Sequence, residues 1–281
     1  MWPIAVGLTL RRLVSKVANS LLMESCVPIL APRQLGVGVK SGAEALVHAA
    51  RRFLGGMSAG QIFVKLDFSN AFNTLRRDSL LEAVFHCAPG LLPYASSAYG
   101  GPSILWLGDG TMSSAEGVQQ GDPLGPLLFC LAVNGLLQPI KSEFVSGYLD
   151  DVGMGGGVDT VIREILRFQE ASLRLGLVLN HSKCEVIGLS GSTRSSWALA
   201  GLGFQEVSVQ SATLLGSPLH VSGVSCAVEE LLKALRVAVP RLALMSPHEA
   251  LFLIKKLSLD PQTPVFASHR TLLLHTWPGG F

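Results

Sequence analysis

Three aspartates stand where they could hold a divalent metal ion. Asp150 and Asp151 are adjacent and lie between an apolar run and the glycine-rich segment 155–157. Neighbouring carboxylates repel each other, so a fold that keeps such a pair usually neutralises it with positive charge. Taken alone, the pair is also typical of a turn in water. Asp67 lies at the end of a second apolar run, and two neighbouring strands could bring the three carboxylates together.

Such a group of carboxylates favours phosphoryl-transfer chemistry. Mg²⁺ is usually held by one or two carboxylates together with substrate phosphates, and Mn²⁺ is a possible substitute. Two ions held in this way activate an attacking hydroxyl and stabilise the leaving oxygens. We therefore expect two Mg²⁺ ions at Asp67, Asp150 and Asp151.

The elements that must position these residues alternate between helix and strand. Residues 61–68 around Asp67 are apolar on both faces and rich in β-branched and aromatic side chains, which predicts a buried central strand. The other predicted strands are 103–107, 111–115, 144–149, 177–179 and 185–189, and the predicted helices are 8–22, 43–54, 122–137, 159–175 and two within 221–259. A loop is predicted from Pro28 to Gly42, and an irregular segment follows the last helix. Two hairpins in this order indicate an α+β fold with helices on one face of the sheet, not a doubly wound parallel sheet.

The sequence also predicts which residues of some helices face the core and which residues begin or end a helix. Helix 8–22 is predicted to place Leu10, Leu13, Val17 and Leu21 on one face, and helix 159–175 to turn Ile162, Ile165, Leu166 and Leu173 inward. Asp122 and Pro123 read as the cap and first turn of a buried helix, and Gly176 as a helix stop.

Composition indicates an ordered globular protein without a dominant charge. The 281 residues are 48% hydrophobic and 15% charged, and the formal net charge of +2 is too small to indicate or exclude a nucleic-acid binder. Paired basic residues such as Arg76 and Arg77 are typical of a solvated helix face. The five cysteines are widely spaced, which argues against a disulfide framework and a zinc finger.

The mean hydropathy of +0.42 raises the question of a membrane span. The best candidate by sequence, 123–140, contains two further prolines, Asn134 and Gln138, and is short for the ~20 apolar residues that a bilayer requires. Near the N-terminus, Arg11, Arg12 and Lys16 follow the apolar start, the reverse of a secretory signal. We therefore expect an intracellular protein without a membrane segment.

Several sequence strings occur in the order of a known enzyme family. They are PRQLGVGVKSGAE at 32–44, VKLDFSNAFN at 64–73, EGVQQGDPLGPLLF at 116–129, GYLDD at 147–151, GLVLNHSKCEVIG at 176–188 and LLGSPL at 214–219. In this order the chain resembles the reverse transcriptases of non-LTR, LINE-type retrotransposons, and PIAVG at 3–7 extends the resemblance to the N-terminus. Any one string could arise by accident, whereas the ordered set is specific.

The resemblance implies a right-hand polymerase with an antiparallel palm sheet backed by helices, and a role for each matching residue. Asp67, Asp150 and Asp151 would be the catalytic metal ligands, and Phe72 the steric gate against ribose 2′-hydroxyls. Gln120 and Gly121 would support the incoming nucleotide and the template, and Lys183 would donate a proton to pyrophosphate. Tyr148 would pack beside the primer end, and Leu215 with Gly216 would form the primer-grip turn.

The chain also departs from the pattern that it resembles. Trp2 stands where the family commonly has an arginine, and Gly38 where it commonly has a basic residue, so Lys40 is the nearest substitute as a triphosphate contact. Asn73 replaces a frequent aspartate and Leu149 a frequent alanine. Neither of the last two changes removes a predicted metal ligand.

The resemblance further implies domains, partners and a location. Residues 1–60 would be partial fingers, 61–220 the catalytic palm with fingers insertions, and 221–281 a partial, truncated thumb with an irregular C-terminus. The partners would be an RNA template, a DNA primer and dNTPs in the nucleus, with protein partners unknown. Since no endonuclease, RNase H or zinc-knuckle segment is found, we expect a fragment of a larger element.

Two other functions remain open at this stage. A catalytically inactive remnant that binds nucleic acid would account for Trp2 and Gly38. An RNA-dependent RNA polymerase with a related palm is disfavoured by the bulk of Phe72.

Overall fold

The computed structural model describes residues 7–107, 109–119, 121–188, 199 and 201–259. Its helices are α1 (Thr9–Leu30), α2 (Gly42–Gly55), α3 (Ala71–Thr74), α4 (Arg77–Cys87), α5 (Leu92–Tyr99), α6 (Gly125–Leu137), α7 (Val158–Arg174), α8 (Val224–Leu242) and α9 (Pro247–Leu259). Its strands are β1 (Gln61–Leu66), β2 (Ser103–Leu107), β3 (Gly110–Ser114), β4 (Phe144–Tyr148), β5 (Asp151–Gly157), β6 (Glu185–Ile187), β7 (Gln205–Glu206), β8 (Thr213–Leu214) and β9 (Ser217–Pro218). The mixture of helix and sheet confirms the predicted fold class.

The main sheet has the strand order β4-β5-β1-β6-β7. β1 is central and antiparallel to both β5 and β6, whereas the short edge strand β7 runs parallel to β6. Successive side chains of a strand point to opposite faces. Phe63 and Val64 therefore lie on different faces of β1, yet both are fully buried. The prediction of a central strand covered on both sides is confirmed.

The two faces of the sheet pack against different helices. On the face of Val64, α6 and α7 contribute to one large apolar cluster, and nearly every residue of α6 is buried. On the face of Phe63, Leu46 and Ala50 of α2 and Leu214 of β8 form a second cluster. The expectation of helices on one face was therefore incomplete, because α2 covers part of the other face.

Several predicted boundaries were wrong. α1 continues to Leu30, with Pro28 inside it, so the first part of the predicted loop is helical. Cys26 and Leu30 are fully buried, and this packing favours helix despite the proline. The buried helix α6 begins at Gly125, not at Asp122. Residues 177–179 do not form the predicted strand; an isolated bridge pairs Leu179 with Phe68.

Two predicted apolar faces also differ from the observed ones. In α7 the core-facing apolar side chains are Val161, Ile165 and Phe168, whereas Leu166 and Leu173 are half exposed. In α1 the four residues of the predicted face are more than half exposed; they are Leu10, Leu13, Val17 and Leu21. Helical periodicity allows overlapping stripes, and contact with the rest of the fold decides which stripe is buried.

Among the described residues, α1 is the one helix whose length and apolar composition would allow it to cross a membrane. It is nevertheless attached to the fold by polar contacts. Arg11 lies 3.5 Å from the carboxylate of Asp122, and the hydroxyls of Ser15 and Tyr94 are 2.7 Å apart. The lack of a membrane segment stays a prediction.

Arg77 corrects the expectation of a solvated basic pair. Only 7% of this residue is exposed. Its guanidinium donates to the carbonyls of Gly117 and Gly101 at 3.0 Å and to the hydroxyl of Ser114 at 3.1 Å. Arg77 therefore fastens the β2–β3 hairpin and the segment after it to α4, since buried cations are retained where their donors are satisfied.

Candidate active site

The register of the sheet brings the predicted carboxylates together. Leu66 at the end of β1 pairs with Val152 of β5, so the next position places Asp67 opposite Asp151. Asp150 precedes β5 in the tight turn from β4, and Tyr148 pairs with Asp151 across that hairpin. All three carboxylates therefore lie at one end of two neighbouring strands.

The turn that carries Asp150 has an unusual backbone. Leu149 has φ of +57°, a left-handed conformation that residues with a Cβ rarely adopt. Its N–H donates to Oε1 of Gln34 at 2.9 Å, and its carbonyl accepts from Nε2 of Gln34 at 3.0 Å. Gln34 occurs in one of the quoted strings, but sequence reasoning gave it no role.

Burial and mutual repulsion raise the pKa of two of the aspartates. The pKa of Asp151 rises to about 6, first because of desolvation and then because of Asp150; Lys65 opposes the increase and Asp67 adds to it. Desolvation also raises the pKa of Asp150, opposed by a backbone hydrogen bond and reinforced by Asp67. The cluster is thus an unfavourable collection of like charges unless a cation joins it.

Lys65 is a second residue whose position sequence reasoning missed. It lies two residues from both Phe63 and Asp67, so the three share one face of the sheet. Its ammonium lies 3.3 Å from the carboxylate of Glu185 on β6. Both side chains are largely buried, at 18% and 23% exposure. The pair places one positive and one further negative charge beside the aspartates.

The raised pKa of Asp151 makes a prediction about stability in metal-free protein. Its folded-state pKa is about 6 and its reference value is 3.8, so ionisation progressively destabilises the fold as pH rises through that window. We expect the free energy of unfolding of Asp151→Asn to exceed that of the parent by about 1–3 kcal/mol near pH 7. This difference should shrink toward about pH 4.5. Urea unfolding in EDTA at several pH values measures this difference.

The exposed turn residue Asp109 offers a control for the same chemical change. The free energy of unfolding of Asp109→Asn should stay close to that of the parent, because the Asp109 side chain is exposed and lies outside the sheet. A difference in unfolding free energy between Asp151→Asn and the parent that does not vary with pH would contradict ionisation of Asp151 as its cause.

The chemistry of the three aspartates fits a hard divalent cation. Oδ1 of Asp67 is buried without a hydrogen-bond partner among the described residues. Carboxylate oxygens are the ligands that Mg²⁺ and Mn²⁺ prefer. In the described parts of the chain, no three potential ligands converge as a complete metal site. Like charges lose mutual repulsion when a cation lies between them, so closer approach is expected on binding.

Lys183 lies in a turn that is attached directly to Asp67. Within this turn, Asn180 donates its N–H to the carbonyl of Asp67 at 2.8 Å, and the N–H of Asp67 contacts the sulfur of Cys184 at 3.4 Å. Lys183 itself is exposed, and its ammonium has no ion pair with the residues that the structure describes. The turn is thus placed beside the site, with an exposed ammonium.

Phe72 lies beside the site in α3, only five residues after Asp67. Its ring stacks on Phe129 of α6, with centroids 4.3 Å apart and planes at 10°. Its carbonyl accepts a hydrogen bond from Val118 at 2.6 Å. The ring is partly exposed, so one face is supported while the other can meet a ligand.

The segment that includes Gly121 is only partly described. Gly121 has φ of +104°, a conformation suited to glycine, whereas Gln120 lies outside the described residues, as does Trp2. The carboxylate of Asp122 accepts from the hydroxyl of Tyr99 at 2.7 Å and from the N–H of Leu124 at 3.0 Å. Asp122 therefore stabilises the turn before α6 and does not cap the helix as predicted, because the N-cap residue is Leu124 and no side chain caps it.

The remaining predicted residues occupy turns. Leu215 and Gly216, with φ of +49° and +73°, connect β8 to β9 in the predicted turn. Lys40 is exposed just before α2. Gly38 has φ of +71°, and the side chain of Val27 occupies the space that a Cβ would take. A basic residue at position 38 would therefore be strained in this fold, which leaves Lys40 as the accessible cation of this loop.

The mainly antiparallel sheet, with α6 and α7 packed on one face, has the architecture of the palm of a right-hand polymerase. The fold resembles a telomerase from Candida albicans solved with a fragment of telomeric RNA, with TM-score 0.50 and 10% identity over 65% of this chain and 36% of that one. Residues 5–219 match the family model described as reverse transcriptase (RNA-dependent DNA polymerase). The chain belongs to the reverse transcriptase family, and its fold is the right-hand polymerase fold.

Curated relatives agree with a non-LTR reverse transcriptase domain. The type-2 retrotransposable element R2DM polyprotein of Drosophila melanogaster is 30% identical over 46% of this chain. The SLACS 132 kDa protein of Trypanosoma brucei gambiense is 29% identical over 68% of it. The matched regions make up only 14% and 17% of those two relatives.

Proposed function

We propose that this protein is an RNA-directed DNA polymerase domain that adds deoxynucleotides to the 3′-hydroxyl of a primer. The observation that carries the proposal is the pairing of β1 with β5, which places Asp67 opposite Asp151 and beside Asp150. Family membership supports the reaction class, and the position of the three carboxylates at one end of β1 and β5 supports their proposed role.

In this proposal Asp67, Asp150 and Asp151 would hold two Mg²⁺ ions, with Mn²⁺ as a substitute. When bound, the ions would favour ionisation of the primer hydroxyl and neutralise charge on the triphosphate. The raised pKa of Asp151 gives one reason for a cation there, because a bound cation would offset the desolvation and the repulsion that raise it. The unpartnered oxygen of Asp67 gives a second reason.

Other side chains would orient the substrates. Phe72, braced by Phe129, would exclude a ribose 2′-hydroxyl, and Tyr148 would pack beside the primer end. Lys183 would donate a proton to the departing pyrophosphate from the turn attached to Asp67. Lys40 would contact the triphosphate, Gln120 and Gly121 the nucleotide and template, and Leu215 with Gly216 the primer.

Primer extension tests the proposal directly. Purified protein with an RNA template annealed to a DNA primer, Mg²⁺ and dNTPs should lengthen the primer. EDTA should stop this extension, because the carboxylates and the triphosphate are both negatively charged and need a divalent cation between them. Restoring activity with excess Mg²⁺ or Mn²⁺ separates chelation from damage to the protein. No extension by folded, metal-replete protein would contradict the proposal.

The second candidate is an inactive remnant that binds nucleic acid. Gly38 favours it, because this backbone conformation excludes a basic residue where the family commonly has one. A remnant should bind RNA–DNA hybrid with an affinity that falls as salt rises, yet leave the primer unextended. Binding and extension measured on the same preparation distinguish the two functions.

A further inference from the structure

Gln34 connects a loop before α2 to the turn that carries Asp150. Its side chain is fully buried. The amide accepts from the N–H groups of Leu149 and Gly36 at 2.9 and 3.0 Å, and donates to the carbonyl of Leu149 at 3.0 Å. One side chain thus satisfies both backbone groups of the residue immediately before Asp150.

The surrounding backbone is shaped to admit this amide. A Cβ at Gly36 would lie 2.5 Å from the nitrogen of Leu149 and 3.0 Å from Oε1 of Gln34. A Cβ at Gly147 would lie 3.2 Å from Nε2 of Gln34. A Cβ at position 36 would therefore displace the amide or the turn, and a Cβ at position 147 would crowd the amide.

Main-chain hydrogen bonds hold the same loop against β4. Leu35 donates to the carbonyl of Gly147 at 2.8 Å, and Gly147 donates to the carbonyl of Arg33 at 2.6 Å. The guanidinium of Arg33 adds a side-chain hydrogen bond to the carbonyl of Ile140 at 2.9 Å. The loop is thus fixed to the strand that leads into the turn, and Gln34 is held in a defined position.

The turn needs such support because of Leu149. A leucine at φ of +57° is disfavoured by contacts of its Cβ, and without an external constraint the turn would relax toward negative φ. That relaxation would rotate the following peptide and change the position of the Asp150 carboxylate relative to Asp67 and Asp151. Hydrogen bonds to both backbone groups of Leu149 oppose this rotation.

We propose that Gln34 is a positioning residue that holds Leu149 in the left-handed conformation and thereby sets the Asp150 carboxylate for metal binding. The inference rests on the proposed function, since it concerns how the same three aspartates are arranged. The Gln34 amide bonds to the backbone of Leu149 and Gly36, so it acts on Asp150 through Leu149. A purely structural role would change the free energy of unfolding without changing the metal affinity of the folded protein.

The first test compares the Mn²⁺ affinity of Gln34→Leu with that of Gln61→Leu. Electron paramagnetic resonance measures the binding, on protein shown to be folded. Gln34→Leu keeps the approximate volume and removes all three hydrogen bonds. Gln61 lies at the opposite end of β1, where it bonds Ser58 and Glu143. We expect the Kd for Mn²⁺ to rise by about 10–100-fold in Gln34→Leu, the range typical of lost supporting contacts, and to stay unchanged in Gln61→Leu.

A rescue variant separates positioning from general loss of stability. Glycine adopts positive φ without strain, so Leu149→Gly in the Gln34→Leu background should restore most of the Mn²⁺ affinity. The unfolding free energy need not recover, because glycine makes the unfolded chain more flexible. A double variant that folds but binds Mn²⁺ no better than Gln34→Leu would overturn the inference.

A second pair of variants covers the case in which Gln34→Leu does not fold. Gly36→Ala keeps the glutamine but pushes a Cβ into the nitrogen of Leu149, whereas a Cβ at Gly90 meets open space. We expect weaker Mn²⁺ binding in Gly36→Ala and parental binding in Gly90→Ala. Parental affinity in Gly36→Ala, or in folded Gln34→Leu, would show that the turn does not depend on this loop.

The parent protein distinguishes this inference from the proposed function. A parent that binds Mn²⁺ and extends primers, alongside a Gln34→Leu variant with the same Kd, would disprove the positioning role alone. A parent that neither binds Mn²⁺ nor extends primers would disprove the proposed function and the inference together.

Discussion

Replacing Asp150 with asparagine is expected to lower the rate of primer extension by about a thousandfold or more. Asparagine keeps the shape of the side chain but removes the negative charge that would neutralise a divalent ion beside Asp67 and Asp151. Losing one such charge weakens transition-state stabilisation by several kcal/mol, which corresponds to a change of this size. Single-nucleotide extension on an RNA template at saturating dNTP and Mg²⁺ measures the rate.

The same substitution at an exposed aspartate gives the matched control. Asp109→Asn, in the turn of the β2–β3 hairpin, should retain the parental rate within a few fold. Asp150→Asn should remain folded, because it relieves the desolvation and the repulsion that raise the pKa of Asp150. A folded Asp150→Asn protein that extends primers at the parental rate would remove Asp150 from the catalytic assignment.

Replacing Phe72 with alanine should reduce the preference for deoxynucleotides over ribonucleotides by about 10- to 100-fold. The Phe72 ring is fixed in place by its stack on Phe129, so it cannot easily move aside for a ribose 2′-hydroxyl. Removing the ring opens that space, and the discrimination against ribonucleotides falls. The ratio of kcat/KM for dNTP and rNTP, measured with one enzyme preparation, reports the effect.

This ratio is insensitive to partial unfolding, because inactive protein lowers both rates equally. That matters here, since losing the stack on Phe129 also destabilises the fold. Phe72→Tyr provides the control, because it retains the ring and should retain the preference. Equal discrimination by Phe72→Ala and the parent would contradict the steric-gate role, and a parent that prefers ribonucleotides would revive an RNA polymerase.

Much of the sheet was predictable because its signals are local. Residues 61–68 predict a strand, of which the structure forms 61–66 as β1, and glycine and aspartate between the predicted strands 103–107 and 111–115 predict the β2–β3 hairpin, whose pairing the structure confirms. Gly176, at φ of +79°, ends α7 as predicted. These features depend on residues close together in the chain, so a periodicity or a turn preference is enough to find them.

The errors occur where distant parts of the chain decide the outcome. Leu166 and Leu173 fit an apolar stripe of α7, but the surface offered by the sheet and α6 buries Phe168 instead. Arg77 looks like a surface cation, yet carbonyls that lie 24 and 40 residues away in the chain surround it. Burial of a polar side chain depends on partners that a single local pattern does not reveal.

By itself the sequence identified the reverse transcriptase family and predicted which three aspartates would bind metal, because motif order and residue type can be read without coordinates. Only the tertiary structure decided how those aspartates are held. Antiparallel pairing of β1 with β5 sets Asp67 opposite Asp151, and the buried amide of Gln34 fixes the left-handed residue before Asp150. The reason is physical: a carboxylate's charge is a property of one residue, whereas its position and its pKa depend on residues that folding brings beside it.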